Sequence, residues 1–254
     1  MPKLIAAVLA TLIISIPCGA NATEMRVLIT TAMKAAIDDL SPAFEAAAGH
    51  RLRITYGPSG ALAKLIAAGE PADLVILAGG IDDLIKQGKV AADSRRDIAR
   101  VRIGVAVRKG APRPAIGTVD TFRDALLKAK SVAYVDPAAG GASGIYLAKM
   151  LERLGILAEV NAKARLARGG TEDMVSMIVA RGDAEIGLQQ ISEIMSVAGV
   201  DLVGPLPDEL QTVTVYTAGV PGNAKEAAGA RALIAFLTTP AAAAVYKTKG
   251  LDPG

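Results

Sequence analysis

The chain has 254 residues, with 28 Lys and Arg against 25 Asp and Glu, a formal charge of +3, one Cys and one His. Three Phe, five Tyr and no Trp, with charges interspersed rather than in a basic block, exclude a stacking nucleic-acid surface. The same inventory leaves no soft metal cluster, and HExxH and Walker-type glycine loops are absent, so no metal or cofactor is expected.

Residues 1–22 read MPKLIAAVLATLIISIPCGANA: Lys3, an apolar run from Leu4 to Pro17, then Ala20-Asn21-Ala22 as a small-x-small cleavage site. This predicts a cleaved secretory signal peptide and a periplasmic protein that starts near Thr23. The apolar run, at about 14 residues, is shorter than the roughly 18 to 20 that span a bilayer. Pro17 stands before Cys18 where a lipoprotein signal has a small residue. Cleavage removes Cys18, so the mature chain has no disulfide or thiolate chemistry. What remains, roughly 230 residues, is enough for one or two domains.

Met25 to Ile29 is an apolar run that gives way to Thr30-Thr31, and Ala32 to Ala48 has apolar residues at helical spacing. The unit recurs as a strand from Leu52 to Tyr56, the turn Gly57-Pro58-Ser59-Gly60 and a helix from Ala61 to Ala68. It recurs again as Leu74 to Leu77, Gly79-Gly80 and a helix near Ile81 to Gln87. Arg100 to Arg108 reads as a strand, and Thr121 to Lys130 as a helix capped near Thr118 or Asp120. Ser131 to Val135 is a strand that meets a glycine-rich turn from Asp136 to Gly144, with a helix from Ile145 to Leu154 behind it. Ala164 to Ala167 is a short strand before Gly169-Gly170, Thr171 to Arg181 a helix, and Ala184 to Leu188 a strand that runs into Gln189-Gln190. The run QTVTVYTAGV within Leu206 to Val220 alternates as a returning strand, and helices are expected over Ala224 to Leu237 and Pro240 to Thr248. Strands alternating with helices predict an α/β fold, its mostly parallel sheet covered on both faces.

Ligands of open α/β sheets sit beyond the carboxyl ends of the strands. Those ends here carry Thr30 and Thr31, Ser59 and Gly60, Gly79, Gly141 and Ser143, and Gly169. Helix starts offer free N–H groups and the positive end of the macrodipole, hydroxyls add donors, and glycine permits close approach. The expected ligand is therefore a small anion. Gln189 and Gln190 are further candidate ligand residues. Glu193 is the carboxylate to watch as a proton acceptor, while Asp73 and Asp136 read as acceptors for loop backbone. Arg102, Arg168 and Arg100 are candidate cations for a carboxylate, and His50 reads as a solvent-facing loop residue at the opposite edge of the sheet.

Three segments carry a resemblance: VLITTAMKAAIDDLSPAFEAAAG, ITYGPSGALAKLIAAGEPADLVI and VDPAAGGASGIYLAKML. Together they make the chain similar to periplasmic solute-binding proteins of the molybdate-binding class, receptors of ABC importers. The resemblance implies two α/β lobes joined by crossing strands, with residues 23–102 and 213–254 in one and 103–212 in the other. It also implies a ligand cleft between them, closure by hinge motion, a membrane permease as partner and a monomer. Specificity departs from molybdate. Ala32 stands where the class has a serine, with Thr30 or Thr31 as substitutes, and Gln190 stands where it has a tyrosine. The second-lobe turn is lengthened by Gly140-Gly141. An organic di- or tricarboxylate is thus expected before molybdate or tungstate. The branch also resembles periplasmic aconitate isomerase, an enzyme on the same scaffold, for which Glu193 is the candidate base and Ser59, Ser143 and Arg102 candidate supporting groups.

Overall fold

The computed structural model describes residues 23–254, so the signal-peptide reading and Cys18 lie outside the described residues. The chain opens with β1 (Thr23–Thr30), a 3-10 turn at Thr31–Met33 and α1 (Lys34–Ala48). It continues with β2 (His50–Gly57), α2 (Ser59–Ala68), β3 (Leu74–Ala78), α3 (Ile81–Lys86) and the long β4 (Arg96–Arg108). α4 (Val119–Lys128), β5 (Val132–Val135), α5 (Ala142–Arg153), α6 (Leu157–Asn161) and β6 (Ala164–Ala167) follow. Then come α7 (Val175–Arg181), β7 (Ile186–Gln190), α8 (Ile191–Met195) and β8 (Val200–Pro205). β9 (Val213–Gly219), α9 (Ala227–Leu237), α10 (Pro240–Thr248) and β10 (Asp252–Pro253) complete it.

The strands lie in the order β2-β1-β3-β9-β4-β7-β5-β6, with β8 and β10 also on β4. β1 pairs β2 and β3 in parallel, and β5 pairs β6 and β7 in parallel. Between these two parallel groups run the antiparallel strands β9 and β4, which carry the chain across. β4 is shared: Arg96 to Arg102 pairs β9, whereas Ile103 to Arg108 pairs β7 and β8. At the changeover the Gln211 amide accepts from Ile103 N–H at 3.0 Å and donates to its carbonyl at 2.9 Å. A side chain there replaces a missing strand partner.

Each group is buried on both faces. Ile29, Met33, Phe44, Tyr216 and Leu233 form one core against the first group, and Leu62, Ile66, Val75 and Leu84 fill its other face. In the second group, Phe122, Tyr134, Leu147 and Leu188 form one core, and Val135, Val175 and Val179 the other. This two-sided burial is why the inner strands β1, β3, β5 and β7 read as largely apolar runs, whereas the outer strands β2 and β6 carry exposed residues.

Local chemistry explains most boundaries. Thr118 caps α4, its oxygen accepting from Thr121 N–H while Thr121 Oγ1 accepts from Thr118 N–H. Thr239 caps α10 ahead of Pro240. Asp73 accepts from the N–H groups of Arg26, Lys225 and Glu226, and Asp136 from Ala138 N–H, the backbone-holding parts expected of them.

The strand read in the run QTVTVYTAGV is present as β9, from Val213, after a 3-10 turn at Asp208–Leu210. Two expectations are corrected. The helix expected from Thr171 begins only at Val175, because Asp173 holds the preceding loop by accepting from Arg168 N–H and Gly169 N–H. His50 is no solvent-facing loop residue: it begins β2, is half-buried and stacks on Phe44 at 6.4 Å between centroids. α8 and β8 had no counterpart in the sequence reading.

Candidate functional site: the cleft between the lobes

The carboxyl ends of β1, β3, β5 and β7 face a narrow, partly open cleft with a cavity volume of about 30 Å³, room for little more than a water molecule. One wall carries Thr30 and Thr31 from the end of β1, Pro58 and Ser59 from the start of α2, and Ala78 from the end of β3. The other carries Val135, Gly141 to Ser143 at the start of α5, Gly169 and Gly170, and Gln190 and Glu193.

α2 and α5 start at the cleft from opposite sides. The first-turn N–H groups of a helix have no intrahelical acceptor, so each start presents donors and partial positive charge. Pro58, which has no N–H, precedes the first of them. Gly144 explains how α5 comes so close: a Cβ there would lie 2.3 Å from the Val135 carbonyl oxygen. Ser59 and Ser143 are both buried at these starts. Ser59 Oγ accepts from Ala78 N–H at 2.9 Å, which leaves its own hydrogen free for a ligand.

Of the residues singled out in the sequence, Thr30, Thr31, Ser59, Gly141, Ser143, Gly169, Gln190 and Glu193 line the cleft. Gly60 sits at its edge, its N–H donating to the Gly140 carbonyl of the other lobe at 3.3 Å. Gln189 lies beneath the floor, with no exposed surface. Gly79 and Arg102 are outside this lining. Gly79 is exposed, and its neighbour Ala78 lines the wall. Arg102 is exposed on β4, where it pairs Val213, and Arg100 and Arg168 are exposed as well. Among the described residues no lysine or arginine lines the cleft. An anion held there is held by N–H groups and hydroxyls.

Glu193 is the ionisable group of the lining. Only 8% of its surface is exposed, and burial pushes its carboxyl up to about 7, with nearby Gln189 opposing the shift. Tyr216, fully buried on β9, is held well above the ordinary phenol range by burial and then by the charge of Glu193, with Ser192 opposing. Around this carboxyl are four buried polar atoms with no hydrogen-bond partner: Thr31 Oγ1, Gln189 Nε2, Ser192 Oγ and Tyr216 OH. Tyr216 and Ser176 were missed in the sequence because each belongs to an element read as core, where nothing local marks a polar cluster, and Ser192 because the short helix that carries it has no sequence signal of its own. A wider, open groove lies at the opposite end of β7, between Arg108, Pro112 and Lys128, away from the converging helix starts.

Residues 25–252, nearly all of the described chain, match the family model of the bacterial extracellular solute-binding protein. The chain belongs to that family. The chain is similar to aconitate isomerase of a Pseudomonas species, at 38% identity over 91% of this chain and 88% of that one. The molybdate-binding protein of Azotobacter vinelandii is 28% identical over 92% of this chain and 91% of that protein. In structure the chain resembles the periplasmic molybdate-binding protein of Azotobacter vinelandii, with a TM-score of 0.75, 21% identity and coverage of 91% and 99%. The two-lobed α/β fold of this solute-binding family is thus the fold of this protein.

Proposed function

We propose that the protein isomerises aconitate, or a close unsaturated tricarboxylate, by moving a proton along the allylic system of a ligand enclosed between the lobes. The observation that carries this reading is Glu193: a buried carboxyl that titrates near 7 in the lining of a cleft otherwise made of hydroxyls and helix starts. A general base poised near the operating pH combines a large ionised fraction with strong basicity. The similarity to a relative named aconitate isomerase supports the substrate class.

The reaction needs one base and no co-reactant. The Glu193 carboxylate takes a proton from the methylene carbon, and the electron pair spreads over the allylic system as a dienolate. The protonated carboxyl then returns the proton to the former vinyl carbon, so the double bond shifts while atoms and charge balance. N–H groups at the starts of α2 and α5, with the Ser59 and Ser143 hydroxyls, stabilise the carboxylates and the developing charge. The lobes are taken as residues 23–102 with 213–254 and residues 103–212. They must part to admit ligand, because the space between them is too narrow for passage. The working compartment is the periplasm and the working form a monomer. Incubating the protein with cis-aconitate and following the vinyl protons by NMR tests the reading. Accumulation of the trans isomer supports it, and an unchanged spectrum at high protein concentration rejects it.

A second reading is favoured by the enclosure itself. The same cleft suits capture of an organic anion for a membrane permease, in which case ligand raises the thermal midpoint without being converted. Molybdate and tungstate rank below carboxylates here, because Ala32 and Gln190 supply no hydroxyl where the molybdate-binding class is expected to have one.

A further inference from the structure

Gln189, at the end of β7, has no exposed surface, and its amide is held in one orientation. Its Oε1 accepts from Ser176 N–H at 3.0 Å and from Ser176 Oγ at 2.9 Å. A backbone N–H can only donate, so the amide atom that faces it is the oxygen, and the usual ambiguity of a glutamine amide is removed. The Ser176 hydroxyl also lies 3.1 Å from the Glu193 carbonyl oxygen, which ties α7 to the residue that carries the acid. Both hydrogens of Gln189 Nε2 are therefore left buried and without a partner. Such a donor is costly unless an acceptor becomes available.

We propose that Gln189 is a positioning residue for Glu193: with its oxygen anchored by Ser176, its Nε2 donates to the Glu193 carboxylate once that group has lost its proton. One carboxylate oxygen is then held from beneath, and the other is left to the cleft that Glu193 lines. The direction of Gln189's influence, favouring the ionised acid, agrees with this. Other charges do not supply the same hold. On β9, Tyr216 is a protonated phenol whose titration Glu193 opposes. On β4, Arg96, Arg100, Arg102 and Arg108 are exposed, and Asp97 takes Thr217 Oγ1–H and an Arg95 contact. Asp201 of β8 accepts from Gly110 N–H, and Arg181 of α7 pairs with Asp183. The Thr31–Met33 turn and β7 carry no charge.

The inference rests on the isomerase reading for its functional meaning, but its first readout needs no turnover. Titrate Glu193 by carbon NMR in the full protein labelled at glutamate, with the resonance assigned through Glu193→Gln, in wild type, Gln189→Leu and Ser176→Ala. The expected wild-type midpoint is about 7. Gln189→Leu raises it by about one unit, and Ser176→Ala raises it less because the Ser176 N–H still anchors the amide. The ionised fraction at pH 7 then falls from about a half to about a tenth in Gln189→Leu. The kcat/KM for cis-aconitate falls about fivefold at that pH and recovers at higher pH, which simple damage to the site does not produce. If Gln189→Leu fails to fold, Ser176→Ala decides by the same measurement. A midpoint unchanged or lowered in the variants that fold overturns the proposal. Wild-type protein with no turnover overturns the isomerase reading instead, and the titration still decides the role of Gln189.

Discussion

The backbone N–H of Gly60, at the start of α2, donates across the cleft to the carbonyl of Gly140, in the turn before α5, at 3.3 Å. A Cβ on Gly60 would lie 3.0 Å from that oxygen and 3.3 Å from Gly140 Cα. Two residues without side chains thus let the lobes meet backbone to backbone above the floor that holds Glu193.

Gly60→Ala tests what that contact does. Gly60 is helical with an ordinary φ, so alanine suits α2 itself and stabilises the unliganded protein by up to about 1 kcal/mol. Its methyl group obstructs closure. Ligand affinity is expected to fall by about tenfold, roughly 1.4 kcal/mol. The contraction seen by small-angle scattering on ligand addition should shrink with it. Full contraction and unchanged affinity would show that the contact is incidental.

Glu193 makes stability depend on pH in a definite direction. Its folded value of about 7 lies above the ordinary 4.5, so between those limits the folded chain holds a proton that the unfolded chain has released. Stability is therefore greatest below about pH 4.5 as far as this group is concerned, and is lost as pH rises to about 7. Glu193→Gln removes that slope. The variant should be more stable than wild type at pH 8 by roughly 3 kcal/mol and nearly equal to it at about pH 4, read from urea midpoints. An equal difference at both values would place the carboxyl in an ordinary environment.

Ser59→Ala should act on both stability and binding. It leaves the Ala78 N–H without its acceptor, at a cost of roughly 1 to 3 kcal/mol, and removes a hydroxyl donor from the cleft. Denaturant unfolding with and without ligand separates the two effects. A variant as stable as wild type would mean that Ser59 does not hold the end of β3.

Asp73→Ala supplies the contrasting case. It removes three backbone hydrogen bonds far from the Glu193 carboxyl, to Arg26, Lys225 and Glu226, and should cost roughly 3 kcal/mol. Affinity measured well below the melting point should not change, because Asp73 does not line the cleft.

These residues also show what the sequence discloses. Ser59 and Ser143 were legible because a hydroxyl between a strand and a helix is a local pattern, and Thr118 and Pro240 marked helix starts for the same reason. Arg102 was harder to place for a physical cause. Alternation sets Arg100 and Arg102 on one face of β4, opposite buried Val101 and Ile103, but the helices that pack on β4 from distant parts of the chain decide which face meets solvent. Glu193 stood out by position, yet its burial comes from α8 packing against β4, β8 and the Thr31–Met33 turn, all distant in sequence. Ser176 and Tyr216 carried no local signal, since a lone serine in a helix or a tyrosine in an alternating strand is ordinary core material.

The most direct measurement compares wild type with Glu193→Gln on cis-aconitate, recording conversion by proton NMR and thermal stabilisation by the same ligand. The account predicts that both proteins are stabilised by ligand, that wild type forms trans-aconitate, and that Glu193→Gln loses at least a hundredfold in rate. Equal conversion by the two proteins, or none by wild type, would contradict it.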